Sequence, residues 1–85
     1  MDIVIWDIDA RRIEVIDRNL RLAMKQLGMR GRVTSMSEPP LLGRMGLLDR
    51  VPVLEIDGCY WSLKNNSIMS QEQCLTLLSR LRQSG

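Results

Sequence analysis

The chain has 85 residues, 45% of them apolar, with twelve Lys and Arg against ten Asp and Glu for a formal charge of +2. That length holds one domain with a modest core, and the lack of Phe makes the core aliphatic. Balanced charge argues against nucleic acid or an anionic membrane as partner, since both call for basic residues gathered on one face.

Ile3-Val4-Ile5-Trp6 is a short apolar, β-branched run, the pattern of a strand buried on both faces in mid-sheet. No basic segment followed by a long apolar stretch precedes it, so no export signal is expected, and no run approaches membrane-spanning length. A cytoplasmic protein is the expectation. From Arg11 to Leu27, Ile13, Ile16, Leu20, Ala23, Met24 and Leu27 recur at helical spacing, which predicts an amphipathic helix ended by Gly28. Asp7 or Asp9 can cap its start. Glu14/Arg18 and Asp17/Arg21 stand four apart with the acid first, a favourable order on a solvent face. Arg32–Met36 reads as a weaker strand, and Glu38–Met45 as a short helix begun near Pro39-Pro40 and stopped at Gly46.

The run Arg50-Val51-Pro52-Val53-Leu54-Glu55-Ile56-Asp57-Gly58 is the most informative in the chain. Pro52 has no N–H to give a ladder, so it opens the strand Val53–Ile56. Asp57-Gly58 then supplies the positive dihedrals of a tight hairpin into Cys59–Leu63. The Val51-Pro52 bond is a candidate cis bond. Ser70 to Gln73 reads as a capping box, followed by Cys74, Leu75, Leu77, Leu78 and Leu81 on one apolar helix face.

The predicted order is β-α-β-α-β-β-α in a single α/β domain spanning residues 1–85. Together with the proline before the third strand, this order resembles the thioredoxin-like superfamily in its small, glutaredoxin-sized form. The resemblance spans nearly the whole chain. It implies a four-stranded mixed sheet of order 2-1-3-4 flanked by helices, and a cis-proline at Pro52. Gly46-Leu47 fits a Gly-aliphatic pair that the family places upstream of that proline, here one residue further away than usual. Redox members carry Cys-x-x-Cys where the first strand meets the first helix, because the helix N-terminus lowers the thiol pKa there. In this chain the two positions fall on Ala10 and Ile13, within Asp7-Ile8-Asp9-Ala10-Arg11-Arg12-Ile13, and no cysteine precedes Cys59. The resemblance therefore implies a fold without dithiol–disulfide exchange.

The other chemical groups favour plain roles. Cys74 reads as a small buried hydrophobe. Cys59 follows the hairpin turn with no His anywhere in the chain to serve as its base, and both thiols are expected to be reduced. Two distant cysteines and no histidine do not make a metal site, and no cofactor is expected. The six methionines read as adaptable core filling. Asp7 and Asp9 read as helix-start residues favoured by capping and the dipole. Arg11 and Arg12 follow at once, so Asp7 to Arg12 reads either as a solvated turn or as a surface of mixed charge. In redox relatives this loop and the one before the proline form the groove for an extended peptide. A groove retained without its chemistry would comprise Asp7, Asp9, Ala10, Arg11, Arg12, Ile13, Arg50, Val51 and Pro52. Tyr60 and Trp61 alternate on an edge strand, so one should face the core and one the solvent.

Three functional classes follow. The leading one is a redox-inactive module that binds a protein or peptide through the vacated groove. The second is a thiol-dependent enzyme using Cys59. The third is a structural homodimer joined through the edge strand.

Overall fold

Tertiary packing selects the same seven elements that the sequence pattern predicts. In the computed structural model, which describes residues 1–62 and 64–84, they are β1 (Asp2–Trp6), α1 (Ala10–Gln26), β2 (Arg32–Met36), α2 (Pro39–Arg44), β3 (Val53–Ile56), β4 (Cys59–Ser62) and α3 (Gln71–Ser84). Leu63, expected as the last residue of the fourth strand, lies outside the described residues. The strands form one mixed sheet in the order β2-β1-β3-β4, with β1 parallel to β2 and antiparallel to β3. No described helix is long and apolar enough to cross a membrane.

The turns follow from local chemistry. Asp57 at φ 48° and Gly58 at φ 86° form the tight turn of the β3–β4 hairpin, the left-handed pair that matches strand twist. The Val51-Pro52 bond is cis. At the start of α3, Gln73 N–H donates to Ser70 Oγ at 3.1 Å and Ser70 N–H to Gln73 Oε1 at 2.9 Å, a complete capping box. The Asp17–Arg21 pair on α1 forms at 2.8 Å.

Strand alternation sends side chains to two separate cores. Ile3, Ile5, Leu54 and Ile56 meet Ile16, Leu20, Ala23 and Met24 of α1 and Cys74 and Leu78 of α3. On the opposite face Trp6 and Val53 meet Leu42, Leu47 and Val51, and a hydrogen bond of 3.0 Å joins Trp6 Nε1 to Glu55 Oε1. One expectation fails here. Neither Tyr60 nor Trp61 is buried; they are 45% and 37% exposed, and every residue of β4 is open to solvent. As an edge strand, β4 lies at the margin of both cores, so pointing inward does not cover a side chain.

Candidate functional site

Trp6 pairs with Met36 on one side and Val53 on the other. Asp7 therefore leaves the sheet between β2 and the Pro52 entrance to β3, and its N–H donates to the Met36 carbonyl at 3.3 Å. Ile3, Ile5 and Asp7 occupy alternate positions, so Asp7 inherits the inward direction of β1. On α1, Arg12, Ile16 and Leu20 stand four apart, which puts Arg12 at the head of the buried stripe. The two residues meet where strand and helix join.

Their charges are locked together. Arg12 Nε reaches Asp7 Oδ2 at 2.6 Å and Arg12 Nη2 reaches Asp7 Oδ1 at 2.6 Å, a two-pronged guanidinium–carboxylate pair. Asp7 Oδ1 also accepts from the N–H groups of Ile8 at 2.7 Å and Asp9 at 3.3 Å. Asp7 is fully buried and Arg12 is 9% exposed. The hydrogen bond to Asp7 raises the Arg12 pKa above its ordinary value; desolvation opposes that shift, and the negative charges of Asp7 and Asp9 add to it. Asp9 is the N-cap of α1, its carboxylate accepting from Arg12 N–H at 3.0 Å.

Two sequence expectations are corrected by this geometry. Asp7 is no helix cap, and Arg12 is no solvent-facing charge on a groove rim. Both belong to an internal pair whose donors and acceptors serve each other. The buried Asp7 carboxylate thus accepts from four donors, three of them on Oδ1. Ala10 is exposed on the first turn of α1, and Ile13 is partly buried against the larger core. Neither offers a nucleophile. What the loop shows to solvent is Ile8, 49% exposed, with Asp9, Ala10 and Arg11.

Across from it, Val51 and Pro52 are buried and Arg50 is exposed, its Nη2 3.4 Å from Ser62 Oγ. Asn66 N–H donates to the Val51 carbonyl at 2.9 Å, and Asn65 Nδ2 to the Asp49 carbonyl at 3.0 Å. The turn carrying Asn65 and Asn66 thus folds against the proline loop, an arrangement that sequence reading missed. A signal was available, because Asn66 takes φ 58° and asparagine is among the few residues that do so readily. Met45, Leu47, Arg50, Val53, Tyr60 and Ser62 enclose a cavity of about 300 Å³ beside this loop.

Both cysteines are free thiols, with Cys59 exposed and Cys74 buried. Burial pushes the Cys74 thiol up to about 12, which removes it from nucleophilic chemistry at neutral pH. No protein-family model, curated protein or solved structure matches this chain.

Proposed function

We propose that the chain is a redox-inactive, thioredoxin-like binding module that holds a protein partner at the rim of a vacated active site. The observation that carries this reading is the Asp7–Arg12 pair, which fills with a closed salt bridge the strand–helix junction where the resemblance expects a reactive thiol. The strand order supports the family resemblance on which it rests. Ile8, Asp9, Ala10, Arg11 and Arg50 are exposed on the two loops, and exposed loops on a rigid scaffold are common sites of recognition.

The protein should show no turnover in an insulin-reduction assay with a dithiol donor. Arg11→Glu and Arg50→Glu should each reduce recovery of the native partner by tagged protein from its host, with melting temperature unchanged, because exposed charges alter stability by only about 0.5 kcal/mol. Arg12 is unsuitable for this test, since its loss unpairs a buried carboxylate. Dithiol turnover, or full partner recovery by both folded variants, would overturn the reading.

A further inference from the structure

We infer that the hollow between the C-terminal half of α1 and the start of β2 binds a small organic phosphate, its phosphate group held by Arg21, Lys25 and Arg30. This place is at the opposite end of α1 from the Asp7–Arg12 junction and does not involve the vacated groove. Charge along the chain is the first indication. Residues 18–37 hold five of the twelve basic residues, Arg18, Arg21, Lys25, Arg30 and Arg32, and none of the ten acids. A formal total of +2 therefore conceals a cationic stretch in a chain that is otherwise net acidic. The fold keeps that stretch together, because it makes up the second half of α1, the turn that follows and β2.

Geometry turns the charge into a site. Arg21 and Lys25 stand four residues apart on one face of α1, and Arg30 comes from the turn before β2. With the buried Met24 and Val33 and the half-buried Met29 they line a cavity of about 400 Å³. Arg21 is braced on two sides, its Nε donating to Asp17 Oδ1 at 2.8 Å and its Nη2 to the Val33 carbonyl at 3.1 Å. Those bonds fix the plane of the guanidinium at the cavity wall and leave Nη1 for a ligand. Among the described residues Lys25 and Arg30 form no ion pair, so Asp17 is the one acid that answers the three cations. A phosphate monoester carries about 1.5 to 2 negative charges at neutral pH and three oxygens to share among such donors, and a guanidinium fork matches those oxygens in shape. The cavity is within the range of about 300–1,000 Å³ usual for small-ligand sites. Its apolar floor of Met24, Met29 and Val33 gives the organic part of the ligand a surface to cover, which a bare phosphate would leave wet.

Titration of the intact, isotope-labelled chain with phenyl phosphate tests this by amide chemical shift, at an ionic strength of about 0.1 M where charges more than about 10 Å apart are screened. Saturable shifts centred on residues 21–33 are expected. Inorganic phosphate should move the same amides with affinity about threefold or more lower, because it covers none of the apolar floor. Lys25→Gln and Arg30→Gln should each weaken phenyl phosphate about tenfold, the usual loss for a hydrogen bond to a charged group. Arg44→Gln removes the same charge from α2 on the other face of the sheet and should change the affinity by less than about twofold. Melting temperatures near the parent's establish that each variant is folded. Shifts that do not saturate, equal weakening by Arg44→Gln, equal affinity for inorganic phosphate, or binding of an adenylate oligonucleotide where phenyl phosphate does not bind would overturn the inference.

Discussion

Asp7 and Arg12 bring opposite charges into a place that water scarcely reaches, and their value depends on keeping both. Removing one partner from such a pair typically costs about 3–5 kcal/mol, whereas replacing both by apolar groups of similar volume is often close to neutral. A domain of this size holds roughly 4–13 kcal/mol in total, so a single change is severe. Arg12→Met and Asp7→Leu should each lower urea-unfolding stability by about 3 kcal/mol or more, and the double variant by clearly less than their sum. Additive losses in that cycle would show that the two residues act separately. The pair was legible in principle. Asp7 continues the inward alternation of Ile3 and Ile5, and Arg12 precedes Ile16 and Leu20 at helical spacing. Charge hides such positions, because a residue that is costly to bury is expected outside unless its partner is known. Partners five residues apart that face each other only after a strand turns into a helix cannot be paired by periodicity alone.

At the scale of elements, the sequence was informative wherever a backbone requirement is local. Asp57-Gly58 and Ser70–Gln73 specify their turn and cap through dihedrals and nearby hydrogen bonds, so neighbouring residues were enough to place them. The exposure of β4 is not local, because it depends on how far each core extends beneath the sheet margin. Gly31 shows the same limit. A Cβ there would collide with the Met1 carbonyl and lie 2.8 Å from Met24 Cε, because the chain passes close to the start of β1 to let Arg32 N–H reach the Met1 carbonyl at 3.0 Å. Gly31→Ala should therefore destabilise the protein by about 1–3 kcal/mol, as forced overpacking does. Gly43, inside α2, has as its nearest obstacle an exposed Leu48 side chain, Cδ1 at 3.2 Å. Gly43→Ala should be neutral or gain up to about 1 kcal/mol of helix propensity. Thermal melts of the two variants would decide, and equal losses would refute the steric assignment.

The molecule as a whole is unevenly covered: two long helices lie on one face of the sheet, and the six-residue α2 lies on the other. Most of the apolar burial, including Cys74, is on the first face. An ordinary thiol titrates near 9.0 and the folded Cys74 near 12, so the folded state keeps a proton that the unfolded chain has released. The contribution is fully present below pH 9 and falls away as pH rises towards 12. Urea midpoints should decline over that interval, and Cys74→Ala should reduce the decline. An unchanged slope in the variant would assign the alkaline loss to other groups. The sheet order 2-1-3-4 was expected from resemblance rather than from periodicity, which can place strands along the chain but does not choose their neighbours.

The two indoles divide this uneven molecule between them. Trp6 is 7% exposed beneath α2, with its ring N–H held by Glu55, while Trp61 is 37% exposed on the far edge. Their emission should accordingly separate by colour, a blue-shifted component from Trp6 and a redder one, more open to acrylamide, from Trp61. Each variant carrying one tryptophan then becomes a gauge of a different process. Light from Trp6 follows loosening of the smaller core, and light from Trp61 follows whatever comes to cover the edge strand.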